Sequence, residues 1–218
     1  MKPQFMFTVS TLHQITENIR YSAQMYLSLL TGMRMGEINA LRVSDVNFTF
    51  NTIMVSQTMS VDSKGRAVIN ETTKTEAGMR KIPITAEVRQ ILTEAIGSKK
   101  SGLIFLKADG SMIPTSNVLC QFKRLQDKYN FIDETIDGKV DLHSLRHTYA
   151  TTCIEAGMKP VVLQRLMGHA DISVTMNTYA DVFEQHQDDE LKKVTEYMKK
   201  IGISDIEESE IDKSETTA

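Results

Sequence analysis

The chain has 218 residues, enough for one good-sized domain or two small ones with a real hydrophobic core. Hydrophobic residues make up 41% and charged residues 24%, the proportions of ordinary globular protein rather than of a disordered or fibrous chain. The formal net charge of −3 excludes a generally basic protein but not a basic face. Six acids (Asp205, Glu207, Glu208, Glu210, Asp212, Glu215) and one base (Lys213) sit in residues 201–218, and without them 24 bases stand against 22 acids.

Ser10 can cap a first helix carrying Leu12, Ile15 and Ile19. A second helix runs through Met25, Leu27, Leu29 and Leu30 and stops at Gly32, and a short helical piece follows from about Gly36 to Leu41. From Asn51 the period changes: Ile53, Val55 and Gln57 alternate with Met54, Ser56 and Thr58, as in a strand. Asp62-Ser63-Lys64-Gly65 is a turn. Arg66 to Thr73 and Met79 to Ile84 then read as two more strands, with Gly78 in the turn between them.

Helices resume near Thr85, with Val88, Ile91, Leu92 and Ile96, and again after Pro114, with Val118, Leu119, Phe122 and Leu125. Three more are expected: from His143 to near Gly157, from Pro160 to Gly168, and from about Asp171 to Thr178. The expected class is α+β, mainly helical with one small three-stranded antiparallel sheet. Beyond it, Leu191, Val194, Met198 and Ile201 form an apolar stripe on a helix over about 184–201, and residues 203–218 form an acidic tail expected to be disordered.

The charge-free stretch between Arg20 and Arg34 is too short and too polar to span a bilayer, and the N-terminus lacks a leader pattern. Cys120 and Cys153 form no CxxC and imply no disulfide framework. A soluble, cytoplasmic protein is expected.

Cutting a phosphodiester needs a nucleophile, fixed donors for the charge on the non-bridging oxygens, and a proton for the leaving oxygen. Arginine suits the second task, because its planar fork donates to two oxygens at once. The sequence supplies each part. Thr31-Gly32-Met33-Arg34-Met35-Gly36-Glu37 sets Arg34 just past a helix stop with Glu37 three residues on. Leu142-His143-Ser144-Leu145-Arg146-His147-Thr148 sets His143 and Arg146 at i and i+3, on one helical face. His169 follows a helix end in Leu166-Met167-Gly168-His169, Tyr179 comes ten residues later, and Thr73-Lys74-Thr75 puts a lysine on the strands.

These elements, in this order from about Phe5 to Tyr179, resemble the tyrosine recombinase or phage integrase family. The segments TGMRMGEINALRVSD and MGHADISVTMNTYAD look most like integrases of conjugative transposons and temperate phages. The resemblance implies a catalytic domain over residues 1–202 that cleaves and rejoins double-stranded DNA through a 3′-phosphotyrosine at Tyr179, integrating or excising a mobile element. It implies that Arg34 and Arg146 bind the scissile phosphate, His143 accepts the Tyr179 proton, Lys74 protonates the departing 5′ oxygen, and His169 hydrogen-bonds the phosphate. Glu37 would hold the geometry around Arg34 without reacting. Ester energy stored in the protein link removes the need for a cofactor or metal. The family works as a tetramer on DNA, and a monomer without DNA is expected. Its members usually carry an N-terminal helical domain that clamps the far side of DNA; that core-binding domain is expected to be absent from this chain, leaving a half clamp that binds weakly.

Each residue also has a bland reading. Arg34 alone is a surface arginine, Tyr179 a half-buried aromatic, His169 a helix C-cap, and Lys74 a solvated lysine beside Lys64 and Lys81. It is their combination that favours chemistry. His143 and His147 at i and i+4 could hold a metal, with His169 as a third ligand, but Ser144 stands where an HExxH site has glutamate. The remaining rivals are a DNA-binding accessory module without catalysis and a type IB topoisomerase.

Overall fold

The computed structural model describes residues 20–71, 79–129, 140–180, 182 and 187–201. The helix expected after Ser10, Lys74 with the Gly78 turn, and the acidic tail lie outside the described residues. The chain divides into two compact units, residues 1–178 and 179–218.

Helix α1 (Ser22–Thr31) ends where expected, with Gly32 in the left-handed region at φ 66° and its N–H on the Ser28 carbonyl. A side chain at Gly32 would also meet the Tyr149 ring, 2.5 Å from a Cβ built there, so both the turn and the packing demand glycine. Helix α2 (Met35–Asn39) starts at once and packs on a later strand. A Cβ at Gly36 would lie 2.7 Å from the Met59 carbonyl oxygen, which is backbone and cannot swing aside. Gly36→Ala should therefore cost about 1–3 kcal/mol in denaturant unfolding, the usual penalty for forcing a methyl into a filled space.

The strands are β1 (Val46–Asn47), β2 (Thr52–Val55), β3 (Gln57–Val61), β4 (Ala67–Glu71) and β5 (Arg80–Pro83). They form two antiparallel sheets, one ordered β1-β2-β5 and the other the hairpin β3-β4. The three-stranded sheet expected from the alternation exists, but its members differ. Ser56 divides the run that began at Thr52, and the hairpin folds onto itself while the chain returns to pair β5 with β2. In that pairing Ile53 faces Ile82 and Val55 faces Arg80, all four buried.

Helices α3 (Ala86–Ile96), α4 (Thr115–Tyr129), α5 (Leu142–Glu155), α6 (Pro160–Met167) and α7 (Ile172–Thr178) follow. The Thr85 hydroxyl caps α3 by accepting from the Val88 N–H, and Asp141 caps α5 by accepting from the N–H groups of His143 and Ser144. Pro160 opens α6 and Gly168, at φ 64°, closes it. Helix α5 packs on α1, and Leu27, Ile38, Ile53, Ile82, Leu92, Ile104, Phe122 and Leu145 fill the core beneath. In the second unit, α8 (Gln187–Lys200) leaves Leu191, Val194, Met198 and the following Ile201 exposed. Among the described residues no helix is long and apolar enough to cross a membrane.

Candidate active site

The site grows from the two ends of α1 and α6 and the first turns of α2 and α5. Arg34 stands at the N-terminus of α2, where its backbone N–H donates to Glu37 Oε2 at 2.8 Å and its Nη1 to Oε1 at 3.0 Å. The Arg34 side chain is 42% exposed, whereas that of Glu37 is 3% exposed. Arg80, reaching from β5, grips the same carboxylate as a fork: Nη1 to Oε1 at 3.0 Å and Nη2 to Oε2 at 2.6 Å. Burial alone would raise the Glu37 carboxyl, but the Arg80 fork, the Arg34 N–H and the Arg34 charge hold it below the usual value of 4.5.

The last carbonyls of α6 have no partners within their own helix. Arginines satisfy them instead: Arg80 Nε donates to the Leu166 carbonyl at 2.7 Å, and Arg146 Nη2 to that of Met167. Through Nη1, Arg146 also donates to the Gly32 carbonyl at the end of α1. Arg146 is 2% exposed, and these backbone carbonyls receive its buried guanidinium. Its Nη2 further lies 3.1 Å from His169 Nε2, and His169 Nδ1 lies 2.8 Å from the Thr175 hydroxyl.

Arg34, His143 and Arg146 line one cavity of about 270 Å³, completed by Ser28, Gly36, Asp141 and residues of α4. His143 is pushed below the ordinary histidine value, first by burial and then by the Arg146 and Arg34 charges, against the pull of Asp141. It is neutral near pH 7 and can accept a proton. His147 meets His143 edge to face, with ring centroids 4.9 Å apart. Among the described residues no three His, Cys, Asp or Glu side chains are grouped so as to hold a metal ion.

The structure thus brings Arg34, Glu37, His143, Arg146 and His169 together in the first unit. Tyr179 opens the second, directly after the last residue of α7, and its side chain is buried. Sequence reasoning missed Arg80. A signal was available: alternation puts Arg80 in phase with Ile82 and Ile84 on the inward face of its strand, where a charge must find a partner. It missed Thr175 as well, which is fully buried against His169.

If His143 accepts a proton in the reaction, strand cleavage at subsaturating DNA should be flat above pH 7. It should decline only below the ordinary histidine value of 6.5, because the lowered group stays neutral until then. An acid limb centred above pH 7 would remove His143 from that role.

Two arginines and a neutral imidazole thus line one cavity, the donor and acceptor types that a bound oxyanion would require. The sequence profile of the phage integrase family matches residues 6–186, and the chain belongs to that family. The transposase of transposon Tn916 from Enterococcus faecalis is 31% identical over 167 residues, 72% of this chain and 41% of that protein. A XerC-like tyrosine recombinase from Caldanaerobacter subterraneus subsp. tengcongensis is 25% identical over 201 residues, 82% of this chain and 50% of that one. The integrase of transposon Tn1549, solved in complex with transposon right end DNA, superposes with a TM-score of 0.71 at 28% identity, covering 82% of this chain and 62% of that chain. The chain spans about half the length, or less, of these curated relatives.

Proposed function

We propose that this chain is the catalytic part of a site-specific recombinase that cleaves and rejoins DNA strands for the integration or excision of a mobile element. The observation that carries the reading is the convergence of Arg34, His143 and Arg146 on one cavity, in a chain of the phage integrase family. Arg34 and Arg146 would bind the non-bridging oxygens of the scissile phosphate and stabilise the charge that builds on them. Tyr179 Oη would attack phosphorus and pass its proton to neutral His143. The bond to the 5′ oxygen would break, and Lys74 would protonate that oxygen as it leaves. The products are a 3′-phosphotyrosine and a 5′-hydroxyl, and the hydroxyl of a partner strand reverses the step. No cofactor enters this balance, since the ester bond is conserved throughout. The protein would act in the cytoplasm on double-stranded DNA, as a tetramer once bound.

The test is a nicked suicide duplex bearing the element's end, run on a denaturing gel. The wild-type chain should give a shifted covalent band that resists EDTA, and Tyr179→Phe should give none. A band that persists in Tyr179→Phe overturns the assignment of the nucleophile.

A further inference from the structure

The His169 ring is held from both sides. Arg146 Nη2 stands 3.1 Å from Nε2, and the Thr175 hydroxyl stands 2.8 Å from Nδ1. A guanidinium donates and never accepts, so Nε2 must offer its lone pair to Arg146. The ring's single proton then sits on Nδ1 and is donated to Thr175 Oγ1. Burial and the charges of Arg146, Arg34 and Arg80 push His169 down to about 4, so the ring is neutral at pH 7 and carries one proton only. In this tautomer His169 has nothing to donate to a phosphate oxygen, yet a hydrogen bond to the phosphate is the role that the family resemblance implies for it.

We propose that Thr175 is a positioning residue whose hydroxyl supports both tautomers of His169, so that the ring serves Arg146 when the site is empty and donates to phosphate when it is filled. The proposal rests on the functional reading above. With the site empty, Oγ1 accepts from Nδ1–H. When a phosphate engages Arg146, that arginine no longer needs the Nε2 lone pair. The net change moves one proton from Nδ1 to Nε2, exchanged with water while the half-buried ring swings briefly off Thr175, and on its return the Thr175 hydroxyl donates to bare Nδ1. No bond other than N–H changes. The side chain must donate and accept through the same atom, which a hydroxyl does and an amide nitrogen, a carboxylate or a methyl does not. Its burial at 0% exposure removes water as a substitute partner.

Three measurements test this on the full chain. Long-range proton–nitrogen NMR of ¹⁵N-histidine protein without DNA should show His169 as the Nδ1–H tautomer, and Thr175→Val should weaken that preference. On the suicide duplex, Thr175→Val should cleave roughly tenfold more slowly, the loss of one buried hydrogen bond, while Thr175→Ser stays within about twofold of wild type. In a His169→Ala background, Thr175→Val should have no further effect, because its action runs through the ring. An Nε2–H ring in the DNA-free wild type overturns the proposal without any variant. So does a Thr175→Val loss that Ser does not rescue or that persists without His169, either of which makes Thr175 simple packing. If the wild type forms no adduct at all, the functional reading fails and takes the phosphate-bound half of the proposal with it, while the NMR result still decides the empty-site half.

Discussion

Arg146→Lys is expected to slow strand cleavage by about 10²–10³, the cost of removing one preorganised donor from a developing oxyanion. An ammonium keeps the charge but cannot reach two oxygens in a plane. At this position it also cannot replace the donations to the Gly32 and Met167 carbonyls, which fix the ends of α1 and α6 beside the cavity. DNA affinity should fall much less than rate, since the fork matters most when charge has built up on the phosphate. Arg34→Lys is the companion variant: its side chain is 42% exposed, so it should lose rate with little loss of stability. Single-turnover adduct formation measures the rate, and thermal unfolding separates chemistry from folding. A near-normal rate in Arg146→Lys would make the residue a helix-end brace and nothing more.

Glu37→Ala should cost about 3–5 kcal/mol of stability, because it leaves the Arg80 guanidinium buried without its counter-charge. The pair itself is not the source of a large net gain. Desolvating two ions costs nearly what their attraction returns, so the double variant Glu37→Gln with Arg80→Met should recover most of the loss. If the double variant is as unstable as the single one, the carboxylate acts mainly through Arg34 and the α2 terminus. The pH dependence has a definite sign. The Glu37 carboxyl is held below its usual 4.5, so its contribution is present above that value and disappears as pH falls through the lower folded value. Chemical denaturation at pH 7 and at pH 3 to 4 should show the gap between wild type and Glu37→Gln closing in acid.

Local punctuation was readable from the residues. Gly32 closing α1 and Pro160 and Gly168 bounding α6 are signals that act over one helical turn, and the structure places helix ends at each. The sheets were less legible. Ile53 through Thr58 alternate without interruption, and only the pairing of Val55 with Arg80, set by chain far along, shows that Ser56 is a break. The site was legible as a set of residue types but not as a network. Arg34, Glu37, His143, Arg146 and His169 announce themselves by spacing, whereas Arg80 and Thr175 are defined by whom they touch. A buried arginine and a buried threonine resemble surface residues until the strand phase or the helix packing is known.

Arg146 joins its Nη1 to a carbonyl 114 residues earlier in the chain, and Arg80 joins a carboxylate 43 residues earlier. Each of these contacts requires a long loop to close before it returns any energy. The guanidinium network around the cavity is therefore expected to be completed only once α1, β5 and α5 have come together. A nascent chain holds Arg34 and Glu37 long before Arg146 and the end of α6 arrive to complete that network.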